Sequence, residues 1–270
     1  MIWFVPRPWA NRRERDLFVA ALSSDDQVAL SAALRWFGAM PNAEIGYRHH
    51  RLIAAVGHRF SGRSELAAHR SLITSVSKQL WLRGARVMAT LARLSQTFET
   101  MGVPWTVMGN AVWQCLSNPR FRDVERVEIV VAAEAFSYAM SRLWDIGWQP
   151  YAGTKTYSAP DPVELVDGHR SVVSLQSDRA MLAADPDLNA GAIWGSLERV
   201  VVFGGIFPLP PEDLMLRFRD ASPSAGPDDF QWAVDLAELM DRGHLELSAV
   251  PAKFKSLKKR AQLLQSLREG

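Results

Sequence analysis

Cysteine is the scarcest chemistry in this chain: of 270 residues only Cys115 carries a thiol. No intramolecular disulfide is available, and no thiolate metal cage can be assembled from this chain alone, which suits a reducing, cytoplasmic setting. Long apolar runs are also missing. Nothing approaches the roughly 18 uncharged apolar residues needed to span a bilayer. The opening "MIWFVPRPWANRRER" places its arginines after its short apolar stretch, the reverse of a signal peptide. An excess of charge of one sign is absent as well: 31 Lys and Arg face 29 Asp and Glu, for a net charge of +2. Bulk charge therefore argues for neither nucleic acid nor a membrane surface, and only local clusters can carry such a reading. There is no internal repeat, and the single low-complexity stretch, "SPSAGP", has the length of a loop.

What is present is the composition of a packed protein, 48% hydrophobic and 22% charged, with ten tryptophans as candidate anchors. Residues 12 to 100 read as helical, with breaks near "GAMPNAEIG" and "FSGRS". In the stretch from Glu65 to Gly102, Leu66, Ile73, Val76, Leu80, Val87, Leu91, Leu94 and Phe98 recur at spacings of three, four or seven, which gathers them on one helical face. Gly84 weakens its middle and Gly102 is its C-cap. The period then changes. "VPWTVMG" and "VERVEIVV" alternate as strands do, with the short helix "NAVWQCLSNP" between them, Asn110 suited to its N-cap and Pro119 to its exit. A helix ending at Gly147 follows, then a hairpin "VELVDGHRSVVSLQS" turning at Asp167-Gly168, and a second hairpin around Gly204-Gly205. After Pro210-Pro211 the pattern returns to helix. The expectation is an α+β fold: a small mixed-sheet core over 101–209, flanked by helical sections over 1–100 and 210–270.

The stretch "FRDVERVEIVV", residues 121–131, sets charges of both signs before a run of β-branched residues. In a regular strand Arg126 and Glu128 share one face, while Asp123 and Glu125 fall in the phase of Val127, on the other. The segment "GVPWTVMGNAVWQCLSNPRFRDVERVEIVV" resembles the signature of an uncharacterised bacterial nucleotidyltransferase family of the polymerase β-type superfamily. There a strand ends in Lys-Gly, a helix follows, and an Arg stands four residues before an Asp-x-Asp strand. "DIGWQP", the hairpin, "PLPPEDLMLRF" and "FQWAVDLAELM" extend the resemblance along most of the chain.

The resemblance implies a nucleotidyltransferase-like core with phosphate-binding positions at Gly109, Asn110, Arg122 and Arg126. It also implies degenerate catalytic motifs. Gly109 matches the family's glycine, but Met108 replaces its lysine, and the Asp-x-Asp reads Arg126-Val127-Glu128. Ser174 takes the third acidic position, and Gln176 stands where the family often carries His. The former metal positions are thus Arg126, Glu128 and Ser174, and no metal is expected there. If the hairpin pairs in another register, Glu164 becomes the third acid. Two-metal nucleotidyl transfer needs hard oxygen ligands, and an arginine supplies none. A guanidinium there would bind Glu128 or a phosphate instead.

Other features have plainer readings beside sharper ones. His49, His50, His58 and His69 lie among Arg48, Arg51, Arg59, Arg63 and Arg70, read as a solvated basic helix face, with an anion or RNA patch as the alternative. "AKFKSLKKRAQLLQSLREG" is a basic amphipathic helix, read as docking its apolar face on the protein. Cys115, on the short helix with Trp113, has no base nearby in sequence and reads as a buried small residue. The function expected is a nucleotide- or phosphate-binding or accessory protein, a pseudoenzyme in which Glu128 is the one candidate catalytic acid. Two alternatives stay open: an active transferase using Mg²⁺ and an NTP at a rearranged site, and an RNA- or protein-binding module.

Overall fold

A computed structural model describes residues 11–39, 45–116, 126–151, 162–185, 187–202 and 205–211, together with Trp9, Val124, 214–215, 262 and 266–267. Contacts divide the chain into two compact units, Met1–Trp81 with Gly226–Gly270, and Leu82–Ala225. The linker "SPSAGP", the expected exit at Pro119 and the expected C-terminal helices, including the basic one, lie outside the described residues apart from isolated positions.

In the first unit the first two helices start where a side chain satisfies free N–H groups. Asn11 accepts from the Glu14 N–H at 2.9 Å and opens α1, Arg12–Leu22. Asp25 accepts from the Gln27 and Val28 N–H groups ahead of α2, Asp26–Ala39. The third helix, α3, runs Tyr47–Arg59. Phe18, Trp36, Leu52 and Ile53 are fully buried among these helices. The basic stretch departs from its expected solvated character, because His49 and Arg51 are both buried. His49 Nδ1 accepts the Gly46 N–H at 3.0 Å, which leaves the proton on Nε2 facing Glu14 Oε1 at 3.3 Å, a partner 35 residues away. Arg59 binds Asp26 and the Ser23 carbonyl, and His69 stacks on Phe37 at 4.7 Å. At least these members of the stretch serve the fold.

The long stripe forms the expected helix with a modified start. Ser64–His69 winds as a 3-10 turn, and α4 runs from Arg70 to Met101. Gly102 ends it at φ +65, with its N–H on the Phe98 carbonyl at 3.0 Å.

The second unit is built on a five-stranded mixed sheet. Its strands are β1 Trp105–Met108, β2 Val127–Val131, β3 Gln149–Pro150, β4 Val163–Val166 and β5 Val172–Ser177, in the spatial order β1-β2-β5-β4-β3. Only the central β2–β5 pair is parallel. The short α5, Asn110–Leu116, follows β1, and α6, Phe136–Asp145, follows β2. After β5 come α7, Asp178–Ala184, and α8, Ala190–Gly195. The final hairpin, β6 Glu198–Val202 and β7 Gly205–Leu209, is a separate two-stranded sheet. It is tied to the rest by Thr106 Oγ1 on the Pro208 carbonyl and Ser95 Oγ on the Ile206 carbonyl, both at 2.9 Å. This is the α+β class read from the sequence.

Alternation along the strands separates the two faces. Trp105, Val107, Ile129, Val131, Leu165, Val173 and Leu175 enter the main core, which Leu91, Leu94 and Phe98 of α4 and Leu143 of α6 share. Phe98 stacks on Trp105 at 5.1 Å. Met108 and Val130 belong instead to a smaller apolar cluster with Met181, Leu188, Ile193 and Leu214. Among the described residues no helix is long and apolar enough to cross a membrane.

Candidate functional site

Strand register places a line of residues straight across the sheet. Met108 is opposite Glu128, Glu128 is opposite Ser174, and Ser174 is opposite Glu164. Residues paired in this way present their side chains to one face, and here it is the face away from the main core. Glu128 and Glu164 stand two strands apart, with the small, buried Ser174 between them. Arg126, two residues before Glu128 and in the same phase, bridges the two acids. Its NH1 group donates to Glu164 Oε1 at 2.9 Å, and its Nε lies 3.7 Å from Glu128 Oε1.

These three side chains are about a quarter to two-fifths exposed, at 26% for Glu128, 27% for Glu164 and 38% for Arg126. Solvent screening at that exposure limits such a pair to about 1 kcal/mol or less. The trio is therefore a defined arrangement of charge with only a small part in holding the fold.

Gly109 closes the other side of the site. It joins β1 to α5 at φ +60, and a Cβ built there would collide with the Glu128 carboxylate. Only glycine lets that carboxylate lie against the backbone at this turn. Helix starts favour negative charge, and the anion beside this one is the chain's own Glu128. Asn110 is the first residue of α5 and not the cap before it. Met108 is buried and packs with Val130 and Met181, so it brings no charge. Arg122, Asp123 and Glu125 lie outside the described residues.

The sequence pairs Arg126 with Glu128, whereas its shorter contact is to Glu164. The cause is the hairpin loop. A two-residue turn at Asp167-Gly168 would set Glu164 opposite Ser171, but Val166 pairs with Val172, which makes the loop five residues, 167–171, and moves Glu164 opposite Ser174. Asp167 organises the loop by accepting from the His169 N–H at 2.9 Å, the Ser171 N–H at 2.8 Å and Arg93 at 2.6 Å. Burial opposes its charge, but the Ser171 N–H, the Arg93 guanidinium and the His169 N–H outweigh that and hold its pKa below the ordinary aspartate value.

Among the described residues the row supplies two carboxylates, Glu128 and Glu164. A two-metal centre holds ions about 3.5–4 Å apart on clustered carboxylates. Among the described residues no three His, Cys, Asp or Glu side chains gather as a metal would require, and the two glutamates of the row share a guanidinium. Cys115 is no nucleophile either, since burial pushes its thiol up to about 12.

Comparison with known proteins gives structural similarity without sequence family. No protein-family model matches the chain, and no curated protein matches it. Solved structures similar to it include the lincosamide antibiotic adenylyltransferase LnuA in its lincomycin-bound form, at 15% identity and a TM-score of 0.38, covering 54% of this chain and 93% of that one. An antigenic nucleotidyltransferase-like protein from Paracoccidioides brasiliensis is similar at 15% identity and a TM-score of 0.42, covering 67% and 88%. ANT(2")-Ia in complex with adenylyl-2"-tobramycin is similar at 11% identity and a TM-score of 0.35, covering 68% and 95%.

Proposed function

We propose that this chain is a nucleotidyltransferase-type protein whose carboxylate row is closed by Arg126, so that it binds a nucleotide or phosphate, or serves a partner protein or peptide, without transferring nucleotidyl groups. One observation carries the reading: Arg126 lies within ion-pair reach of both acids of the row, at 2.9 Å from Glu164 and 3.7 Å from Glu128. A guanidinium cannot ligate a metal and keeps its charge at any working pH, so it supplies a fixed cation where metal-assisted transfer uses a divalent ion. Further support comes from the sequence resemblance, from the strand that ends at Gly109 beside an acid of the next strand, and from the neutral Met108. The single cysteine suits a cytoplasmic setting.

The competing reading, an active transferase using Mg²⁺ and an NTP, draws on the position of Glu128 and Glu164 in one row. It needs Arg126 to leave that row. An RNA-binding role would rest on the basic stretches, of which His49 and Arg51 are buried and the C-terminal one, apart from isolated positions, falls outside the described residues. The test is incubation with ATP, GTP, CTP and UTP in Mg²⁺ alongside isothermal titration. Nucleotide binding without turnover is expected. Transfer to any acceptor that disappears in Glu128→Ala would overturn the proposal.

A further inference from the structure

Where β2 and β5 begin, a cavity of about 220 Å³ opens within the second unit. Four guanidinium-bearing residues line it, Arg83 and Arg86 from α4, Arg126 ahead of β2, and Arg170 from the hairpin loop, with the hydroxyl residues Thr90 and Ser171. Valines make up the rest of the wall, and no acid is among the lining residues.

Two local features work against the fold here. Arg83 and Arg86 are three residues apart on one helix, a like-charge spacing that weakens a helix. Arg170 is held at φ 59, in the left-handed region that residues with a Cβ avoid. The loop that holds it there is fixed by Asp167, and Ser171 lies 3.0 Å from Thr90 on α4, which ties the loop to the helix. Arg86 and Arg170 are exposed and Arg83 and Arg126 are half-buried, so an anion seated among them would meet several guanidinium groups at once. The exposure of Arg86 and Arg170 leaves these charges partly screened, so binding there should weaken with salt.

Size narrows the ligand. Pockets for drug-sized molecules usually run to about 300–1,000 Å³, so this one admits a phosphate chain and excludes most of a nucleoside. Guanidinium forks bind phosphate oxygens bidentately, and hydroxyl donors complete such a site. Arg126 donates one N–H to Glu164 and meets Glu128 only as an ion pair at 3.7 Å, which leaves others of its five N–H groups for the cavity.

We propose that this cavity binds a polyphosphate group without a metal, with Arg83, Arg86 and Arg170 as its cations and Arg126 as the link to the carboxylate row. It rests on the function proposed above only through the shared Arg126. The test titrates inorganic tripolyphosphate and ATP, each in EDTA, into the full chain and three variants. Saturable binding that weakens with salt is expected, with about a tenfold loss of affinity in Arg86→Ala and in Arg170→Gly. Arg142→Ala, at an exposed arginine of α6 that is not among the lining residues, should bind as tightly as the parent chain. Arg170→Gly suits the left-handed backbone, so a lost site in that variant is not a lost fold. Equal affinity for tripolyphosphate and ATP would uphold the site as a reader of the phosphate chain alone, and much tighter ATP binding would overturn it as a site too small for a nucleoside. No saturable binding, or affinity unchanged in both arginine variants, would overturn it. Nucleotidyl transfer abolished by Glu128→Ala would overturn the function and leave this site standing.

Discussion

Leu175 and Ser174 are neighbours on β5 and look in opposite directions. Leu175 is fully buried in the main core with Val173, Ile129 and Leu165, while Ser174 stands between two glutamates in a row that an arginine crosses. One face of this sheet is fixed by buried apolar area, which is large and tolerant of detail. The other carries a smaller apolar cluster around Met108 and Val130 beside a few charges whose contribution to stability is small. Such a face is free to serve binding, and its residues are chosen by what they meet.

The comparison breaks most visibly at Leu175. Leu175→Ala should lower unfolding free energy by about 3 kcal/mol, from lost burial and the cavity left behind, while Ser174→Ala should cost less than about 1 kcal/mol. Urea unfolding followed by circular dichroism checks both, with unchanged slopes showing that stability alone has moved. A Ser174→Ala cost as large as that of Leu175→Ala would mean that the polar face also supports the fold.

Gly109 gives the next largest effect and joins the two faces. An alanine there meets both the left-handed backbone and the Glu128 carboxylate. Gly109→Ala should cost about 2 kcal/mol, and about 1 kcal/mol when made together with Glu128→Ala, since only the backbone strain then remains. An equal cost in both backgrounds would show that the carboxylate does not press on the glycine.

The apolar face was far more legible in the sequence than the polar one, for physical reasons. Helical spacing from Ile73 to Phe98 and alternation through Val127, Ile129 and Val131 are periodic signals that survive without knowledge of partners. Phase along the strand likewise separates Arg126 and Glu128 from Val127. The partners themselves depend on register. Ser174 and Glu164 come into line only through the parallel β2–β5 pairing and a five-residue loop, and a turn of two residues would have aligned Ser171 instead. His49 and Glu14 show the same limit in the first unit, because a contact across 35 residues leaves no periodic trace. The arginines of the cavity come from three separate segments, so their convergence had no local signal beyond the spacing of Arg83 and Arg86.

The smallest effect tests the loop that sets this register. The folded-state pKa of Asp167 is below its ordinary value of about 3.9. Its charged form therefore stabilises the fold fully above that value, and the contribution fades as pH falls through the lower folded pKa. Its carboxylate is only 8% exposed, but its partner Arg93 is 45% exposed and screened, so the contribution should be about 1 kcal/mol or less. Asp167→Asn keeps an oxygen to accept the His169 and Ser171 N–H groups and removes the charge that Arg93 meets. The stability gap between the two proteins should be greatest near pH 6 and shrink toward pH 2.5. Because both carry the same remaining carboxylates, the difference isolates this residue. A gap that stays constant across that range would show that the loop is held by its turn hydrogen bonds alone, and that the alignment of Glu164 with Ser174 owes nothing to charge.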